Sequence, residues 1–91
     1  MAERFITVGL VQSSPSRDPE LNMKLAMEKV RLAAERGAKI VCLPELYRTW
    51  YFPQWDAMDV RGLAETIPGP STEAFSALAS ELSIVIIVPI F

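Results

Sequence analysis

The sequence predicts an α/β fold with a parallel sheet, in the order strand, helix, strand, helix, strand. Three observations carry this. Apolar runs rich in β-branched residues stand at "FITVGLV", "AKIVCL" and "IVIIVPIF". Between them, two segments repeat apolar residues at three- and four-residue steps, the period of a half-buried helix. The joint between the first helix and the second strand is short. A strand, a crossover helix and a strand then form a βαβ unit, whose strands run parallel and whose crossover is right-handed.

Residues 5–11 read as the first strand, and "QSSPSR" as the loop after it, with Pro15 as breaker. Asp18, Pro19 and Glu20 mark a helix start: a side-chain cap, a proline at the first helical position and an acid in the first turn. The helix is expected over residues 19–36, with Met23, Ala26, Met27, Val30, Ala33 and Ala34 on its apolar face. Gly37 is placed to close it in the left-handed conformation. "AKIVCL" is the second strand. A long connection follows, with room for a short helix, and ends in the turn "IPGP". Ser71 is the expected cap of a second helix, which places Ala74, Phe75, Leu78, Ala79 and Leu82 on one face. "IVIIVPIF" is the third strand, apolar on both faces like a strand covered on both sides. Two helices cover little of such a sheet. The expectation is therefore that residues 1–91 are the N-terminal part of one larger domain, incomplete at the C-terminus, rather than a small autonomous or early-oligomerising α/β domain.

Composition narrows the chemistry. With 51% hydrophobic and 22% charged residues, the chain is globular rather than disordered. A net charge of -2 and the lack of a Lys/Arg cluster argue against nucleic acid or an anionic membrane as partner. The opening "MAERFITVGLVQ" alternates too much for a signal peptide. No apolar segment reaches the ~20 residues of a membrane span. The single cysteine, Cys42, forms no internal disulfide, which fits a reducing, cytoplasmic setting. Histidine is absent, so neither a Ser-His-Asp nor a Cys-His set can be completed, and a zinc or non-haem iron site is not expected. Gly62 and Gly69 do not form a phosphate loop. Acid–base chemistry is left to carboxylates, lysines or tyrosines. Lys24 and Lys29 are mid-helix and Lys39 sits at the wrong end of its strand. Cys42 reads as a small buried apolar residue with no adjacent base.

Glu45 is the candidate that remains. It follows the second strand in "IVCLPELYRTWYFPQW", and open α/β sheets bind ligands beyond the carboxyl ends of their strands. Strand alternation sets Glu45 on the side of Lys39, Val41 and Leu43, if the strand persists through Pro44. Its neighbours Leu43, Pro44, Leu46 and Tyr47 predict partial desolvation, which raises a carboxyl pKa and makes a better base near neutrality. The competing reading is an acid that caps its loop or pairs with Arg48. The aromatic run Tyr47, Trp50, Tyr51, Phe52 and Trp55 is likewise open between a satellite core and a pocket lining.

"GAKIVCLPELYRTWYFPQW" resembles the first catalytic motif of the nitrilase superfamily, the carbon–nitrogen hydrolases. The strand ending in "GLVQ" and the stretch "IPGPSTEAFSALASEL" agree with it, so the resemblance spans nearly the whole chain. It implies a four-layer α-β-β-α sandwich, of which this chain is the N-terminal β-α-β-α-β part. It also implies a Glu-Lys-Cys mechanism with Glu45 as the general base and no metal or organic cofactor. The family's lysine and cysteine lie downstream of Phe91, so the chain alone is expected to be inactive. "PELYRTWYFPQW" is similar to the segment in N-carbamoyl-amide hydrolases, both N-carbamoyl-D-amino-acid amidohydrolases and N-carbamoylputrescine amidases. That similarity implies a small amide or N-carbamoyl substrate, with Tyr47, Tyr51, Phe52 and Trp55 at the pocket mouth, and a homo-oligomer at full length. The alternatives are an inactive truncated product or interaction module, a family acyltransferase, and a glutaminase-type domain.

Overall fold

The structure is a computed structural model and describes residues 4–50 and 61–91. Strands β1 (Thr7–Leu10), β2 (Ala38–Cys42) and β3 (Val85–Ile87) form one parallel sheet in the order β1-β2-β3. Helix α1 (Pro19–Glu35) joins the first pair and α2 (Pro70–Leu82) precedes the third strand. A 3-10 turn at Arg61–Leu63 lies in the long connection. The fold class and element order are those the sequence predicts.

The start of α1 forms as its residues dictate. The Asp18 carboxylate accepts the backbone N–H groups of Glu20 and Leu21 at 3.1 and 3.2 Å, satisfying donors that the first turn leaves open. At the other end Gly37 takes φ 94°, the left-handed conformation that costs glycine least. The cap of α2 is not Ser71. Gly69 caps it and Pro70 occupies the first helical position, so Ser71 falls inside the first turn and is fully buried. The Thr72 hydroxyl accepts from the Gly69 N–H at 2.6 Å and donates back to its carbonyl at 3.0 Å.

Both helices cover the same face of the sheet and touch each other, joined at the surface by an Arg31–Glu81 ion pair. Val30 of α1 and Val41 of β2 are wholly excluded from solvent, and Ala26, Ala38, Leu43, Phe75 and Leu78 complete the core around them. Burial of a valine side chain contributes about 1.5–3 kcal/mol. Strand β1 reaches α1 closely because Gly9 lacks a side chain; a Cβ there would stand 3.1 Å from the Ala33 Cβ.

Register decides the other face. Val8 pairs with Ile40 and Leu10 with Cys42, while Ile40 and Cys42 pair on their other side with Val85 and Ile87. These six side chains share the face turned away from the helices. Val8, Leu10, Val85 and Ile87 are each at least half exposed there. The sheet is therefore apolar on both faces and covered on one by this chain. β3 is shorter than its apolar run: Leu43 N–H donates to the Ile87 carbonyl at 3.0 Å, and Pro89, lacking an N–H, follows.

Candidate active site

Glu45 lies three residues beyond the carboxyl end of β2, the central strand. The chain does not stay extended to reach it. Residues 45–48 form a turn in which Leu46 takes φ 56° and Thr49 N–H donates to the Leu46 carbonyl at 3.2 Å. A leucine in the left-handed region costs about 1–2 kcal/mol, so the surrounding contacts must hold the turn. The turn sends Leu43 and Tyr47 into the core and leaves Glu45 exposed. The expected alternation, and the desolvation by apolar neighbours, are thus corrected. Leu43 and Tyr47 turn their surface toward the core, away from the carboxylate.

The pairing of Glu45 with Arg48 is also corrected. Arg48 donates to Glu20 at 2.9 Å and to Glu65 at 3.4 Å instead. Among the described residues the Glu45 carboxylate has no hydrogen-bond or ion-pair partner, and the residue is exposed.

The turn that carries Glu45 is tied to the rest of the fold by a polar lattice through Tyr47 and Arg48. Asn22 is 5% exposed and all its side-chain bonds are made. Its Oδ1 accepts from the Ser16 N–H and hydroxyl at 2.8 and 2.9 Å, and its Nδ2 donates to the Ser16 and Arg48 carbonyls, each at 2.7 Å. One side chain on α1 thus ties the loop after β1 to the Glu45 turn. Glu65 accepts the Ser71 N–H and the Ser71 hydroxyl, each at 2.8 Å. Since that hydroxyl spends its proton on Glu65, the O–H of Tyr47 is the donor in the Tyr47–Ser71 bond. The Tyr47 ring stands edge-on to Phe75, with centroids 5.4 Å apart. Burial, foremost, pushes the Tyr47 phenol above its ordinary pKa.

Of the aromatic candidates, Tyr47 is packed in the core, 2% exposed, and borders a small cavity together with Asn22, Ala26 and Lys29. Trp50 is half-buried beneath the Arg17 guanidinium, 5.3 Å from its ring centroid. Tyr51, Phe52 and Trp55 lie outside the described residues. Cys42 is half-buried on the face turned from the helices, with its thiol 3.4 Å from the Leu43 carbonyl. Asn22 had a signal in the sequence, as the polar member of the four-residue series Asn22, Ala26, Val30. Glu65 and Ser71 had none beyond being polar near a helix start. No described cluster of acidic, cysteine or histidine residues could hold a metal ion.

The fold is thus a parallel α/β sheet with helices on one face, and Glu45 stands beyond the carboxyl end of its central strand. The carbon-nitrogen hydrolase family model matches residues 7–91, and the chain belongs to that family. It is 39% identical over 84 residues, 88% of its length, to the omega-amidase NIT2 of Xenopus tropicalis, and equally to that of Homo sapiens. It is 35% identical over its whole length to the N-carbamoylputrescine amidase of Solanum lycopersicum. The chain spans 28% of the length of the omega-amidases and 31% of the N-carbamoylputrescine amidase. Among the described residues, no helix is long and apolar enough to cross a membrane.

Proposed function

We propose that the protein hydrolyses the carbon–nitrogen bond of a small amide or N-carbamoyl compound, with Glu45 as general base in a Glu-Lys-Cys mechanism of which this chain supplies the glutamate. The observation that carries the reading is the exposed Glu45 carboxylate, without a partner among the described residues and set past the central strand, while Tyr47 and Arg48 beside it bond elsewhere. Glu45 takes the proton of the cysteine thiol. The thiolate attacks the carbonyl carbon, and the lysine stabilises the oxyanion that develops. Glu45 then returns the proton to the leaving nitrogen as the C–N bond breaks and a thioester remains. Water, losing its proton to Glu45, attacks the thioester; the acid leaves and the thiol is restored. A thiol with a pKa of about 8.5 is mostly protonated at neutral pH, which is why the base is needed. The names of the relatives support an ω-amide or N-carbamoyl substrate. The reaction is cytoplasmic, carried out by a homo-oligomer, and needs no metal or organic cofactor; the 91-residue chain alone is inactive.

The test is Glu45→Gln in the full-length protein, assayed by ammonia release from an ω-amide and from N-carbamoylputrescine. General-base removal typically costs about 10²–10⁴-fold, and kcat should fall by at least the lower figure while the unfolding midpoint holds. A variant that keeps most of its kcat removes Glu45 as the base.

A further inference from the structure

We propose that Glu65 is a positioning residue for Glu45, acting through the turn that carries it; the inference rests on the hydrolase reading above. Glu65 is itself an unusual group. Carboxylates are almost never fully buried unless paired, and its side chain is only 6% exposed. Its partners fall into two sets. Arg48, and through the Ser71 hydroxyl Tyr47, belong to the Glu45 turn. The Ser71 N–H belongs to the first turn of α2, where the carboxylate also meets the positive end of the helix. The main chain of Glu65 adds a third tie, its N–H donating to the Phe91 carbonyl at 2.9 Å beyond β3.

The geometry makes that clamp matter for Glu45. The Glu45 carboxylate has no side-chain or backbone partner among the described residues, so its reach is set by the backbone of its turn. That backbone contains Leu46 at φ 56°, a conformation that persists only when its surroundings impose it. The residues directly after Leu46 are Tyr47 and Arg48, the two whose side chains lead to Glu65. Loss of the Glu65 charge leaves Arg48 with Glu20, which is 74% exposed and a weaker anchor. A displacement of about 1 Å at a reacting group can cost on the order of 10²-fold in rate.

The experiment uses the full-length protein and compares wild type, Glu65→Gln, Glu45→Gln and the apolar core variant Val30→Ala. Glutamine matches the volume of Glu65 but has one acceptor oxygen in place of two and no charge to pair with Arg48. The expected result for Glu65→Gln is a kcat per folded molecule lower by about 10–100-fold with KM within about threefold. Val30→Ala, which lowers the unfolding midpoint but takes no part in the hydrogen bonds and ion pairs of Glu65, should leave kcat per folded molecule unchanged. A Glu65→Gln kcat within twofold of wild type overturns the proposal, as does an equal kcat loss in Val30→Ala. Should Glu65→Gln fail to fold, Tyr47→Phe and Arg48→Ala each cut one arm of the clamp. Loss of kcat at constant KM in both supports the proposal, and unchanged kcat in both overturns it. An active wild type with an unaffected Glu45→Gln leaves the hydrolase reading standing but removes Glu45 as the base, and the clamp on it with that role. An inactive wild type overturns both before any variant is made.

Discussion

Replacing Tyr47 with phenylalanine isolates one bond of the lattice beneath the candidate site. The ring stays, and with it the edge-on contact to Phe75. The O–H that donates to Ser71 is lost. Ser71 still spends its own proton on Glu65 at 2.8 Å, so no buried donor is orphaned; one acceptor lone pair is. The cost is therefore that of a single net hydrogen bond, about 0.5–1.5 kcal/mol. Ser71→Ala cuts the same bond from the other side and should cost more. It strands the Tyr47 O–H in a core position only 2% exposed and removes a donor from Glu65, a penalty of about 1–3 kcal/mol for the orphaned group alone. Urea unfolding of both variants and of the double variant measures the order and the coupling. Tyr47→Phe costing more than Ser71→Ala would refute the donor assignment. The alkaline limb gives a second reading. Burial raises the folded Tyr47 pKa above 10.0, so the neutral phenol contributes stability that is fully present below that pH and is lost as pH rises through the folded value. Wild type and Tyr47→Phe should therefore converge in stability above about pH 10; curves that stay parallel there would contradict a buried phenol.

Gly69→Ala should be the most damaging glycine substitution, because its Cβ would stand 2.3 Å from the Thr66 carbonyl oxygen and main chain must move; thermal unfolding should show a loss of about 2 kcal/mol or more. Gly9→Ala meets side-chain atoms instead, at 3.1 Å from the Ala33 Cβ, and α1 can yield by a few tenths of an ångström; a loss near 1 kcal/mol is expected, and none at all would mean β1 and α1 are less closely packed than described. Glu45→Gln should leave the unfolding midpoint within about a degree of wild type, because the side chain is exposed and unpartnered; a large shift would restore a structural role for this acid.

Local signals were the legible part of this molecule. Asp18-Pro19 capped α1 where the sequence placed it, and Gly37 took the conformation that only its missing side chain makes cheap. At α2 the serine expected as cap was displaced because Pro70 suits the first helical position and a carboxylate from outside the helix satisfies the next N–H. Glu45 stands past the carboxyl end of β2 as its place in the chain indicates, but its surroundings differ from those its neighbours suggest. Apolar neighbours in sequence suggested desolvation, and the Leu46 turn pointed them elsewhere.

The periods of the apolar residues, the caps and the strand-end position of Glu45 were set by sequence, because each depends on residues within one turn or one strand. The partners of Arg48, the burial of Tyr47 and the roles of Asn22 and Glu65 were decided by the tertiary structure. Arg48 meets Glu65 across 17 residues, Tyr47 meets Ser71 across 24, and Asn22 meets the Arg48 carbonyl across 26. Local spacing does not encode such contacts. They exist because packing both helices on one face of the sheet buries these polar groups together, and a buried polar group must find a partner or destabilise the fold.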